Sequence, residues 1–316
     1  MNRPGLTPLA VLVAVAFAVI SGLIVARIVM PPRVSQPPAI SVTITPPPTP
    51  APTSTPTPIP RPTTTPIPTK KPAPSLPILS GPPASGLSTV NVSAPVGTFT
   101  ATILSLDLTG IRVITDTAND SDCATSCPVL SLAGFVTKNG GFAGVNGTYF
   151  CPATYPECAG KTNSFDFPVY NSRLNHWINA GNLSWGGRSI FYIDGSGAHY
   201  QQNSSGFSGG LNAGIINYPG LVDGGNVQID NNQSGLSDKQ KAVGAKVGIG
   251  LRDRTHIMVV VAQAVNMQQF AYVFKSLGAT GALNLDTGGS IALIDNGRYI
   301  FGPGRDLPNA VVFAAK

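Results

Sequence analysis

The chain has 316 residues, of which 11% are charged and 35 are glycine, and its formal charge is +6. The excess is confined to one end: no acidic residue precedes Asp107, and Arg3, Arg27, Arg33, Arg61, Lys70 and Lys71 carry all of it. The remainder is formally neutral and lacks the basic surface that a nucleic-acid backbone requires, so no nucleic-acid partner is expected.

Pro4 through Ala26 carries no charge and is mostly Leu, Val, Ala and Ile. About 20 such residues cross a bilayer as a helix. "GLIVA" runs into Arg27 without a good small-x-small cleavage site, so residues 1–30 read as an uncleaved signal anchor rather than a removed signal peptide. Residues 31–86 hold 20 of the chain's 30 prolines, mixed with Thr and Ser. Proline removes amide donors, and the segment has too little apolar side chain to bury, so it reads as a disordered linker. In polyproline II form it would reach on the order of 170 Å. This arrangement implies a single-pass protein with its folded domain, residues 87–316, outside the cell.

That domain alternates short apolar runs with Gly, Asn and Asp. The runs "GTFTATILSLDL", "IRVITDT", "FAGVNGTYF", "SIFYIDG", "AHYQQN" and "GLNAGIINYPGLV" read as strands, followed by "VGAKVGIGL", "THIMVVVAQAV", "GALNLD", "SIALID" and "RYIFG". Asn296-Gly297 between the last two predicts a two-residue hairpin, because both residues tolerate positive φ. Two helices are expected, over 128–139 and 267–277. In the second, Met267, Phe270, Ala271, Phe274 and Leu277 form one apolar stripe, with Asn266 and Gln269 as a capping box and Gly278 as the stop. The fold class is α+β: one sheet-rich mixed domain with about two main helices.

Cys123, Cys127, Cys151 and Cys158 are an even set in an exported chain, which predicts two disulfides. Three connectivities are open; local pairing, Cys123 with Cys127 and Cys151 with Cys158, is the expected one, and the spacings are atypical for zinc. No cofactor is expected. The histidines, His176, His199 and His256, have no metal-site spacing. Asp116, Asp120 and Asp122 offer oxygen ligands of the kind Ca²⁺ takes but lack a full loop pattern.

Asp286-Thr287-Gly288 looks like an aspartic-protease signature. Such an enzyme needs two carboxylates sharing a proton, and this chain has one motif, with only 30 residues after Asp286. The protease reading is therefore disfavoured. "GALNLDTGGSIALIDNG" instead resembles the Ala-Leu-Asn-Leu-Asp-Gly-Gly-Gly-Ser segment of the phosphodiester glycosidase family. "FAGVNGTYF", "IINYPGLVDGG", "AKVGIGL" and "GRDLPNAVVF" resemble further segments of that family in the same order, over residues 142–313. Thr287 departs from the family's glycine and Lys246 from its arginine, which cannot be replaced in bidentate phosphate binding.

The resemblance implies hydrolysis of a sugar-1-phosphodiester at its glycosidic bond in a cell-surface or exopolysaccharide glycan. Asp286 is the candidate base or nucleophile and Asp223, in a glycine turn, the candidate second carboxylate. Gly288, Gly289 and Ser290 can present amide donors to a phosphate; Lys246 and Arg305 can pair with it; and Asn146 can meet a sugar hydroxyl. The alternative is a glycan-binding surface module that keeps the fold without the chemistry, and convergence of Asp286, Lys246 and Arg305 in one cleft favours the enzyme. The expected partners are thus a carbohydrate or sugar phosphate and, through the N-terminal helix, a membrane. On this reading the mature protein retains residues 1–30 and fractionates with membrane; a soluble product beginning just after residue 26 would show a cleaved signal peptide instead.

Overall fold

The computed structural model describes residues 75–316; the expected anchor and most of the linker lie outside the described residues. The described chain is built mainly of strands, with three α-helices: α1, Leu132–Lys138; α2, Asp238–Lys241; and α3, Met267–Ser276. No helix among the described residues is long and apolar enough to cross a membrane.

The strands form three sheets. The largest has eight strands, in the order Ile78–Leu79, Gly86–Ala94, Gly97–Asp107, His256–Val265, Gly244–Leu251, Gly281–Asn284, Gly220–Asp223 and Asn226–Val227. One five-stranded sheet runs Arg298–Phe301, Leu293–Asp295, Ala143–Asn146, Asn309–Ala315 and Ile111–Thr117. The other runs His176–Ile178, Val169–Asn171, Ala213–Asn217, Ser189–Asp194 and Gly197–Gln201. Neighbouring strands are antiparallel except Ile78–Leu79, which pairs in parallel with Asn91–Val92.

Period-2 patterning explains how these sheets share a core. In "HIMVVVAQAV", Ile257, Val259 and Val261 join a central cluster that draws side chains from all three sheets. Met258, Val260 and Ala262 point to the opposite face and pack with α3. Both faces are apolar, so the run is continuous rather than alternating. Asn309–Ala315 works the same way: Val311 and Phe313 enter the central cluster, while Ala310, Val312 and Ala314 pack with α1.

The α3 helix forms as its stripe and caps predict. Asn266 accepts from the Gln269 N–H at 2.8 Å, and Gln269 returns a bond to the Asn266 N–H at 2.9 Å. Gly278, at φ +82°, stops it. Phe270 and Phe274 meet edge to face at 5.1 Å and are fully buried. They sit close to the sheet because Gly248 and Gly250 lie beneath them. A Cβ on Gly248 would come within 2.7 Å of the Leu283 carbonyl, and one on Gly250 within 2.9 Å of the Phe274 ring. The Asn296-Gly297 hairpin is also present, with φ of +48° and +74°.

Several elements differ from expectation. The first helix begins at Leu132, capped by Ser131, and not at 128; Leu130 instead pairs with Leu307 in a bridge that fixes the approach to the helix. The short α2, with its own capping box at Ser237 and Gln240, was not foreseen. Nor were the strands Gly86–Ala94, Val169–Asn171, His176–Ile178 and Asn309–Ala315. Gly86–Ala94, "GLSTVNVSA", mixes Ser and Thr with its apolar residues as the linker before it does, and only Val90 and Val92 are buried. Residues 78–79, assigned by proline content to the linker, run along this strand.

Replacing Phe270 by Ala should cost about 3–5 kcal/mol, the usual penalty for emptying a fully buried aromatic site. Denaturant unfolding of the variant checks this; a loss under 1 kcal/mol would show that the helix is not locked onto the glycine-floored sheet.

Candidate active site

The site begins where the Gly281–Asn284 strand leaves its sheet. Leu285 is still tied in, its N–H donating to Val247 C=O at 3.0 Å, and the Asp286 N–H donates to Gly147 C=O at 2.9 Å. The side chain of Asn146, fully buried, clamps the turn from below: Nδ2 donates to Asp286 C=O at 2.8 Å and Oδ1 accepts from Ala292 N–H at 3.1 Å. Asn217 Nδ2 similarly holds Asn284 C=O at 2.8 Å. Thr287 has an extended backbone, φ −113°, and the left-handed residue is Gly288 at φ +68°. Threonine at 287 is therefore unstrained, and the glycine that the turn requires is the next one.

Asp286 borders a cleft of about 540 Å³, together with Lys239, Lys246, Arg305, Tyr149 and Tyr155. Three cations and one carboxyl are the charged residues lining it. Asp286 is only 8% exposed. Burial pushes its pKa up to about 7, against smaller downward pulls from the Ser290 hydroxyl, the Arg305 charge and the Thr287 backbone N–H. The Ser290 hydroxyl is the largest of these downward pulls, although it makes no bond of good hydrogen-bond geometry, and burial outweighs all three. Lys246 is 3% exposed, has no carboxylate partner among the described residues, and donates from Nζ to Ala242 C=O at 2.9 Å. Burial lowers its pKa.

Tyr149 lines the cleft near Asp286. Its hydroxyl accepts from Asn284 Nδ2 at 2.7 Å and Gln240 Nε2 at 3.3 Å. Burial pushes it up to about 12, and the nearby Asp286 charge adds to the rise, so it stays protonated across the physiological range. The loop closed by Cys151–Cys158 carries Tyr155 into the lining of the same cleft. Lys239 Nζ lies 4.1 Å from that ring's centroid and the Arg305 guanidinium carbon 5.1 Å.

Asp286, Lys246, Gly288 and Arg305 thus converge as the sequence suggests. Gly289 supports Arg305: its carbonyl accepts from Arg305 N–H at 3.1 Å, and a Cβ there would lie 2.5 Å from the guanidinium. Ser290 is buried and does not line the cleft. Two expectations are corrected. Asp223 is paired with Gly281, the far end of the strand that leads to Asp286, so about 16 Å of extended chain separates the two carboxyls; it is not a second catalytic acid. Asn146 is enclosed and both ends of its amide are used on backbone, so it positions Asp286 and meets no sugar.

The two disulfides join Cys123 to Cys127 and Cys151 to Cys158. Asp116 is buried against Lys138 Nζ at 3.0 Å and also receives Asn139 and Asn171 amides, while Asp120 pairs with Arg173. Their carboxyls are engaged by protein cations rather than arranged around a shared ion. Among the described residues no cluster of three His, Cys, Asp or Glu has metal-holding geometry. Tyr149, Tyr155, Lys239 and Gln240 were not singled out. Tyr149 carries a signal, a polar-tipped aromatic inside the "VNGTYF" run; Tyr155 lies in a loop, and Lys239 and Gln240 lie in the four-residue α2, too short to show an apolar stripe.

The profile of the phosphodiester glycosidase family matches residues 139–314, more than half of the chain. No functionally curated protein matches it by sequence. Among solved structures, the catalytic domain of zebrafish N-acetylglucosamine-1-phosphodiester alpha-N-acetylglucosaminidase, auto-inhibited by its pro-peptide, is similar with a TM-score of 0.56 at 15% identity, covering 74% of this chain and 83% of that one. A hypothetical protein from Synechocystis aligns with a TM-score of 0.49 at 14% identity, over 74% of this chain. This chain spans 64% of that protein's length.

The buried Asp286 makes stability depend on pH. Its pKa is raised from 3.8 to about 7 on folding, so between these values the native state binds the extra proton and stability falls as pH rises. The full cost, at most roughly 4 kcal/mol, is present above pH 7. Asp286→Asn removes it. The variant should be more stable than the parent at pH 8, by less at pH 5, and chemical denaturation at the two pH values measures the difference; equal stability at both would mean that the carboxyl is not desolvated.

Proposed function

The chain belongs to the phosphodiester glycosidase family, and from that premise we propose that its cleft hydrolyses a sugar-1-phosphodiester with Asp286 as general base. The observation that carries this reading is the charge pattern of the cleft: one desolvated carboxyl with pKa near 7 among three cations. A cationic cleft suits an anionic substrate. A lone carboxyl does not suit the acid-and-base pair of ordinary glycosidases. A phosphodiester substrate removes the need for the pair, because its leaving group is a phosphate monoester, a stable anion that departs without prior protonation.

The steps then balance as follows. Lys246 and Arg305 hold the phosphodiester anion. The Asp286 carboxylate takes a proton from water as the water oxygen bonds to the anomeric carbon, and the carbon–oxygen bond to phosphate breaks. Free sugar and a phosphate monoester leave, and Asp286 releases its proton to solvent. A base works best with a pKa close to the working pH, and burial brings Asp286 there. Tyr149, protonated throughout, can donate to the carboxylate's surroundings or to a substrate oxygen without competing for the proton. In Lys246 the chain has a point charge where the family has a fork, so the grip on phosphate is less directional.

The domain works at a cell surface on glycan material, held there by residues 1–30 and spaced from the bilayer by the proline-rich linker. Two disulfides in the domain support an oxidising compartment.

Incubation with sugar-1-phosphodiesters should release free sugar, with kcat/KM rising with pH through about 7 to a plateau, since only the ionised Asp286 is active. Asp286→Asn should lower turnover by about 10²–10⁴. Arg305→Ala should act chiefly on KM, and its effect should shrink as salt is raised. Sugar-phosphate binding with no sugar release from any of the panel would point to the glycan-binding module instead.

A further inference from the structure

A second concavity adjoins the cleft. Tyr149, which borders the cleft, and Phe167, which borders this second cavity of about 490 Å³, pack with ring centroids 6.4 Å apart. One stretch of chain walls both: Gln228 to Gly235 faces the second cavity and Ser237 to Lys246 the first.

Among the described residues, Arg188 is the only charged one lining the second cavity. Its guanidinium carbon lies 5.5 Å from the Phe167 ring centroid and 5.4 Å from that of Tyr218. Among the described residues it has no carboxylate partner, its Nη1 makes only a long 3.4 Å bond to Gly186 C=O, and its Nε is buried without a partner. Two aromatic rings thus hold the guanidinium by cation–π contact, and the edge left for a ligand offers the paired donors that match an oxyanion. Around it stand Gln202, Gln228 and Gln233, amides that both donate and accept, as sugar hydroxyls require. Gln233 Nε2 donates to the Tyr218 hydroxyl at 3.3 Å, and Gly235 keeps the space beside that hydroxyl clear, since a Cβ would come within 2.6 Å of it. None of these groups has a task in the hydrolytic cleft.

We propose that this cavity is a second saccharide subsite that takes an anionic sugar residue, its carboxylate or phosphate group held by Arg188 and its hydroxyls by the glutamines. A glycan entering the cleft is thereby gripped at a second point, and acidic polymers are favoured over neutral ones. The sugar character of the ligand rests on the hydrolytic reading above; its charge rests on Arg188 alone.

The test uses the full chain carrying Asp286→Asn, to suppress turnover, with three probes in calorimetry: an oligogalacturonate, its neutral methyl ester of equal length, and a phosphorylated oligosaccharide. At least one acidic probe should bind ten-fold or more tightly than the neutral one, and the preferred probe shows whether carboxylate or phosphate is the natural group. Adding Arg188→Gln should erase that preference and leave the neutral probe unchanged. Gln233→Ala, which keeps the cation, should weaken acidic and neutral probes alike by several-fold and guards against Arg188→Gln acting through misfolding. In the Asp286-containing chain, Arg188→Gln should leave turnover of a small sugar-1-phosphodiester within two-fold. Equal binding of acidic and neutral probes, or indifference to Arg188→Gln, overturns the subsite. Arg188-dependent binding without cleavage of any phosphodiester would retain the subsite and reject the hydrolytic reading; sugar release without such binding would do the reverse.

Discussion

The amide of Asn146 is the contact on which the site depends. One end holds the carbonyl of Asp286 and the other the N–H of Ala292, so a single buried side chain spans the turn that presents the carboxyl. Asn146 lies on a strand flanked by two others, Leu293–Asp295 and Asn309–Ala315, and cannot move without them. Asn309 extends the scheme by accepting from the Thr148 N–H at 2.8 Å, and Asn217 by holding Asn284. Each such bond is worth about 1 kcal/mol net, but a buried amide or carbonyl left unpaired costs about 1–3 kcal/mol. The asparagines therefore act less as glue than as constraints: any other path for residues 284–292 strands polar groups in the core.

These constraints let the protein keep a carboxyl in an unfavourable place. Asp286 is desolvated, and the hydroxyl and guanidinium near it offset only part of that loss. A flexible turn would relieve the strain by swinging the carboxyl into solvent. The clamp at its carbonyl, the bond from its N–H to Gly147 and the left-handed Gly288 close that route. Lys246 is the mirror image, a buried cation on a strand whose neighbours are apolar, with only a backbone carbonyl for company. Two unlike charges, each costly alone, face one cavity, and an anion bound there would compensate the cation.

Much of this was legible in the amino-acid order, and the limits are physical. Elements governed by local patterning came through: α3 with its capping box, the Asn-Gly hairpin and the long apolar strands that form the sheet interior. Lys246 was also readable, because a charged residue inside an apolar run demands a reason; the Asp-Thr-Gly-Gly turn and Arg305 stood out through the resemblance to the family. Elements stabilised by distant partners did not show. Gly86–Ala94 is a strand because Gly97–Asp107 lies beside it, and its own side chains resemble those of the linker. Asp223 misled for the complementary reason: a carboxyl in a glycine turn looks the same at either end of a strand, and only the pairing of Asp223 with Gly281 shows which end it occupies. Tyr155 and Arg188 owe their positions to loop closure, which no short window of sequence encodes.

The cleft is made of two materials. Its floor is strand backbone pinned by buried amides; its walls are the Cys151–Cys158 loop and the segment around α2, joined across the gap by Lys239 resting on Tyr155 and reaching Glu157 at 3.4 Å. These wall contacts are solvent-exposed, and surface pairs of that kind contribute little to folding. Substitutions in the walls should therefore have small effect on stability, whereas changes to the floor would strand buried polar groups. What the cleft admits can thus be altered through its walls without disturbing how the floor holds its carboxyl.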